Sequence, residues 1–136
     1  MAVEIDVEYL GDLHCRATHG PSHATLTTDA PVDNGGKGEL FSPTDLVAAG
    51  LGTCVLTVMG LMARRKGFDL AGTRVHVAKE MTSSGTRRIA RLTVVINLPA
   101  SLTLSAENRA LIEKAAHSCP VHQSLHPDVA GDIRFA

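Results

Sequence analysis

Cys54 and Cys119 are the residues in this chain whose types and settings could do redox chemistry. Cys54 closes the apolar, small-residue run Phe41-Ser-Pro-Thr-Asp-Leu-Val-Ala-Ala-Gly-Leu-Gly-Thr-Cys54, and Cys119 opens Cys119-Pro-Val-His-Gln-Ser-Leu125. A thiolate attacks electrophilic oxygen or sulfur, and two neighbouring thiols can hold two electrons between them as a dithiol or release them as a disulfide. A lone buried cysteine is usually a small hydrophobe. Two in settings this different could instead be brought together by the fold as a reactive pair, and spacing alone does not decide between the two readings. Cys15, in a stretch of strand character, reads as structural.

Imidazoles offer a second chemistry. His117, Cys119 and His122 cluster in sequence with His126 close behind, and His14, Cys15 and His19 form a second group near the start. Cysteine and histidine are zinc ligands, but a Cys-x-x-His without a matched second pair is an incomplete set, so no metal ligands are assigned. The loop Asp29–Glu39 contains Gly35, Gly36 and Gly38 ahead of a helix, yet lacks the Gly-Lys-Ser/Thr that opens a phosphate-binding helix.

The elements that must position these residues are legible from periodicity. Val3–Leu10 alternates apolar and polar with period two, Gly11-Asp12 marks a turn, and Leu13–Thr18 and His23–Thr28 follow as strands. Ser42 caps a long helix with Pro43 at its first position and Asp45 in its first turn, and Arg64, Arg65, Lys66 and Gly67 close it. Its interior is apolar or small all round, which predicts burial on every side, with Gly50, Gly52 and Gly60 admitting a close backbone. Thr73–Met81 and Arg87–Leu98 read as a further strand pair. Ser105 caps a helix from Ala106 to about Ser118, broken by Cys119-Pro120; a short turn runs through Leu125, and Asp132–Phe135 ends the chain as a strand. The order βββ-α-ββ-α-β defines an α+β fold, antiparallel sheet packed on a long central buried helix, in one domain over 1–136.

Composition narrows the function. The 136 residues are 44% hydrophobic and 3% aromatic with net charge −1, so the core must be aliphatic. Charges of both signs are interspersed, which argues against a nucleic-acid or membrane-surface partner. The amino terminus lacks a basic start and an apolar stretch, and no apolar run is expected to approach the roughly 20 residues of a membrane span, so a cytoplasmic location is expected. Three cysteines in a reducing compartment are poor material for a structural framework. A helix apolar all round is hard to cover within one chain of this size, which favours a dimer.

Ser42–Cys54 and Cys119–Leu125, in this order, with the loop Thr28–Glu39 ahead of the first, resemble the OsmC/Ohr family of thiol-dependent hydroperoxide reductases. The likeness covers essentially the whole chain and is to the broad OsmC-like branch. It implies an intertwined homodimer with paired central helices and sites at the subunit interface. It further implies that Cys54 is the peroxidatic and Cys119 the resolving cysteine, acting on small organic hydroperoxides in oxidative-stress defence. An external thiol would serve as reductant, with no metal or other cofactor. Better-studied members carry a glutamate, paired with an arginine, where this chain has Thr44. Arg16 is the favoured cation for activating Cys54, with Lys37 as the other candidate and Glu39 as a partner for Arg16. The alternatives are a non-catalytic binder of small apolar ligands, or a Cys/His metal protein, on the same fold.

Overall fold

A computed structural model describes residues 1–136. The backbone falls into two compact units, Met1–Leu46 and Val47–Ala136.

The first unit is a three-stranded antiparallel meander, β1 (Ile5–Gly11), β2 (His14–His19) and β3 (Thr25–Asp29), in that spatial order. Asp12 and Leu13 take φ of 52° and 61°, the left-handed pair of a primed hairpin turn, whose twist suits the flanking strands. Leucine is costly in that region. The turn is held by Leu13 N donating to Tyr9 Oη at 3.2 Å and His14 Nδ1 donating to the Asp12 carbonyl at 2.6 Å. His23, with φ 61°, belongs to the second turn, which is why β3 begins at Thr25 and not where the threonine-rich stretch starts.

Beyond β3 the glycine-rich segment is a loop, as composition predicts, with one turn of 3-10 helix at Val32–Asn34. It folds back on Asp29. The Asp29 amide donates to the Phe41 carbonyl at 3.2 Å, and Asp29 Oδ2 accepts from the amides of Lys37 and Glu39, each at 3.2 Å. Gly36 is required here, because a Cβ would collide with the Ala30 carbonyl.

The helix α1 (Pro43–Lys66) runs from the end of the first unit into the second. Its start is a reciprocal cap: Asp45 N donates to Ser42 Oγ at 3.1 Å and Ser42 N donates to Asp45 Oδ2 at 2.9 Å. The second unit continues with β4 (Arg74–Met81), β5 (Ile89–Asn97), α2 (Ala106–His117), α3 (Pro120–Ser124) and β6 (Ala130–Phe135). The sheet order is β4-β5-β6. β4 and β5 are antiparallel, but β6 lies parallel to β5, with Val94 opposite Ile133. This corrects the expectation of antiparallel sheet throughout. The chain from β5 to β6 crosses over through α2 and α3, the kind of helical connection that parallel neighbours need.

The core of this unit is a spine on α1, Leu51, Val55, Met59 and Ala63, at the i, i+4 spacing of one helix face. It meets Leu92, Val94 and Ile96 of β5, Ile112 and Ala116 of α2, and Ile133 of β6. Gly52 lets α1 approach β4, since a Cβ there would lie 2.8 Å from Val77 Cγ2 and 3.2 Å from Val75 Cγ2. Arg109 of α2 stacks over Phe135 of β6 at 4.9 Å and its Nε donates to Glu113 at 3.0 Å, fastening that helix across the sheet's end.

Two sequence expectations about α1 are corrected. It is not buried on every side: Val47, Thr53, Thr57 and Leu61 are exposed, and a Cβ at Gly50 or Gly60 would meet nothing within 4 Å. By length and composition alone α1 is also long and apolar enough to cross a membrane, contrary to the reading that no run approaches that length. The glycines and threonines along it interrupt the apolar run to the eye without lowering its mean hydropathy of 2.0 enough to fail that test.

Candidate active site

Cys54 sits on α1 between the buried spine, where it adjoins Val55, and the exposed line of Thr53 and Thr57, so its side chain is only partly covered. Cys119 is placed by a different device. The proline after it disfavours helical backbone at Cys119, which takes φ −56° and ψ 128°. α2 therefore stops and α3 begins with Pro120 in its first turn. That bend is where sequence predicted only a turn. Five residues of helix form there, tied by Gln123 N donating to the Cys119 carbonyl at 3.1 Å and Ser124 Oγ donating to the Pro120 carbonyl at 2.8 Å. The corner carries Cys119 into the core, where it is fully buried.

The fold brings these two cysteines, both free thiols, near enough for Cys54 to bear on the Cys119 proton. Burial pushes the Cys119 thiol up from its ordinary range. The hydrogen bond with Cys54 and the charge Cys54 carries when ionised push it further, outweighing the downward pull of the His122 and Val121 amides. Charge is therefore disfavoured on Cys119, which is the proton donor of the pair. A partly accessible sulfur backed by a buried, protonated thiol can oxidise at the first and close a disulfide with the second.

The other sequence candidates for the thiol site all belong to the first unit. Arg16, on β2, bonds Glu8 across the β1–β2 pair at 2.8 Å, with both side chains about half exposed or more. Glu8 is thus the partner the sequence reading missed, though it could have been found from the hairpin register that sets it opposite Arg16. Lys37 is exposed, with Nζ 3.6 Å from Asp12 Oδ2. Glu39, read as a partner for Arg16, lies instead with His14 and Asp29. Thr44 has its hydroxyl 3.3 Å from Ser42 Oγ at the start of α1. Cys15 is a half-buried free thiol on β2.

The histidines near Cys119 do not close into a three-ligand cluster. His126 Nδ1 is 3.7 Å from Asp128, the His117 carbonyl accepts from Gln123 Nε2 at 3.4 Å, and Cys119 is engaged with Cys54. His122 sits against Gly131 of β6, with a buried Nδ1 that has no partner. An open cleft of about 830 Å³ in the second unit is lined by Leu56, Thr57, Leu61, Arg64 and Phe68, among others, and by neither cysteine.

The family described as OsmC-like protein matches residues 36–134, and the chain belongs to it. Among solved structures, a Psychrobacter arcticus 273-4 protein described in terms of osmotic stress induction and a detoxification response is 39% identical. It superposes with TM-score 0.89 over 97% of this chain and 94% of that one. The organic hydroperoxide resistance protein OsmC of Legionella pneumophila is 16% identical, with TM-score 0.76 over 100% and 97% of the two chains. The organic hydroperoxide resistance protein OhrB of Bacillus subtilis is 18% identical, with TM-score 0.69 over 100% and 98%. At those identities the last two establish the fold. No curated protein matches the chain.

Proposed function

We propose that this protein is a thiol peroxidase that reduces organic hydroperoxides, with Cys54 as the peroxidatic and Cys119 as the resolving cysteine. The observation that carries this reading is the nearness of a partly exposed Cys54 to a buried, protonated Cys119. Cys54 thiolate attacks the terminal oxygen of ROOH, the O–O bond breaks, and the departing alkoxide takes a proton to leave as ROH. Cys54 is left as a sulfenic acid. Cys119 sulfur then displaces the hydroxyl, which leaves as water with the Cys119 proton, and a disulfide closes. A dithiol supplied from outside returns two electrons and two protons. Apolar neighbours in the core around Cys54 favour a substrate with an apolar tail. The hydroperoxide resistance proteins among its structural neighbours are consistent with that substrate class.

Arg16, whose guanidinium is held by Glu8, is the cation proposed for the Cys54 thiolate, with Lys37 as the alternative. The active form is a homodimer in which a second copy covers the open face of α1 at Gly50, Thr53, Thr57 and Leu61. The protein works in the cytoplasm, where thiol reductants are available.

Replacement of Cys119 by serine tests the resolving step. Cumene hydroperoxide consumption should stop after about one equivalent per subunit, leaving Cys54 sulfenylated or over-oxidised. Sustained turnover by Cys119→Ser would remove Cys119 from the mechanism. A non-catalytic binder of apolar ligands would consume no hydroperoxide in either form.

A further inference from the structure

We propose that His14, Asp29 and Glu39 form a binding site for a first-row divalent metal ion such as Zn²⁺. The site lies wholly within the first unit and is independent of the thiol chemistry. The three potential ligand atoms lie within 4.8 Å of one another. They come from three different segments: the residue after the β1–β2 turn, the last residue of β3, and the end of the glycine-rich loop.

Two details show this to be more than a coincidence of polar side chains. The first is a bare carboxylate oxygen in a buried position. Asp29 is 1% exposed, and while its Oδ2 accepts two loop amides, its Oδ1 has no hydrogen-bond partner. An orphaned anionic oxygen is expensive to bury, and native proteins rarely leave one without a ligand. The second is the orientation of His14. Its Nδ1 lies 2.6 Å from the Asp12 carbonyl, an acceptor only, so Nδ1 must carry hydrogen. In the neutral ring the lone pair is then on Nε2, which faces Asp29 Oδ1 at 3.7 Å. A backbone carbonyl fixing the far nitrogen of a ligating imidazole is the usual outer-sphere arrangement at metal sites.

Two ligand atoms on one tetrahedral Zn²⁺ stand about 3.3 Å apart, given bonds of about 2.0–2.1 Å. The His14–Asp29 separation needs to close by a few tenths of an ångström, and exposed Glu39 can swing to complete a three-ligand set. One imidazole and two carboxylates suit zinc, iron or manganese better than the all-oxygen preference of magnesium or calcium. Two carboxylates and a neutral imidazole would balance a divalent charge. Three protein ligands leave a coordination position for water. Lys37 Nζ and the Asp12 carboxylate, paired at 3.6 Å, are the neighbouring charges from the loop and the turn.

The test is calorimetric titration of the full-length protein with Zn²⁺ in a Cys15→Ser/Cys54→Ser/Cys119→Ser background, which removes thiols as competing ligands. The expected result is one site per chain, weakened at least about 10-fold by Glu39→Gln and about 100-fold by His14→Gln, judged by the loss on disturbing metal-site residues. Glu39 is exposed, so its variant separates lost ligation from lost folding. Co²⁺ bound to the same background should show visible bands of nitrogen and oxygen coordination, and these bands should disappear in Glu39→Gln. Zn²⁺ binding that is absent, or unchanged in both Glu39→Gln and His14→Gln, would overturn the site.

Discussion

Cys119 shows how one residue can be specified by its neighbours yet not be readable alone. Pro120 dictates the bend and α2 dictates the burial, but nothing local says which residue the sulfur will meet. Its partner Cys54 arrives from a helix laid down by other signals, so the pair was available from sequence only through resemblance to a family. A measurable consequence is a pH dependence. The folded state holds the Cys119 proton more tightly than the unfolded chain, because burial and Cys54 raise its pKa. The stability this contributes is fully present below the unfolded thiol value of about 8.5 and is lost as pH rises through the folded value. The urea midpoint of the reduced protein should therefore fall between about pH 8.5 and the alkaline limit. Cys119→Ala should flatten that slope; an identical slope would show that Cys119 does not hold its proton more tightly when folded.

At the scale of elements, α1 is the decisive case. Its cap residues and its length were legible because they are local, Ser42 with Asp45 at one end and Arg64, Arg65 and Lys66 at the other. Its buried stripe of Leu51, Val55 and Met59 was not, because the sequence is apolar all round. Its three glycines look alike in sequence and differ in structure. Gly52→Ala would thrust a methyl group against Val77 and Val75, both stiff at χ1, at an overpacking cost of roughly 1–3 kcal/mol that exceeds the gain of about 1 kcal/mol in helix propensity. Gly50→Ala meets open space within the chain. In an isolated subunit it should stabilise by up to about 1 kcal/mol. In the proposed dimer, with a second helix close by, it should instead weaken association. Thermal unfolding and sedimentation of both variants separate these outcomes. A Gly50→Ala protein that is more stable and self-associates no differently would contradict close helix pairing. The parallel placement of β6 was not legible, because a six-residue strand carries no mark of direction and the crossover contains a short helix that composition disguises as a turn.

At the scale of the molecule, the element order βββ-α-ββ-α-β was recovered apart from the one short helix, and the fold class follows from it. The surface of a single chain was harder to foresee. Ile5, Val7 and Tyr9 lie exposed at alternate positions along β1, with Val3 exposed just ahead of it, and Val47 and Leu61 lie exposed on α1. A sequence reader assigns such alternating residues to a core, and in one subunit they have none. Exposed apolar faces of this kind mark contact surfaces, which agrees with the proposed homodimer. The His14–Asp29–Glu39 cluster escaped notice for a related reason: its members lie in three segments, and the glycine-rich loop carries no periodicity that would have placed Glu39 beside a strand end.

If Cys54 and Cys119 form a redox couple, intact mass with free-thiol counting will reveal it. The reduced protein would be measured before and after one equivalent of cumene hydroperoxide, with hydrogen peroxide beside it. The expected result is the loss of two thiols per chain, a mass lower by two hydrogens, and a bridge mapped to Cys54–Cys119, formed more readily with the organic peroxide. Three free thiols after treatment, or a bridge that involves Cys15, would contradict it.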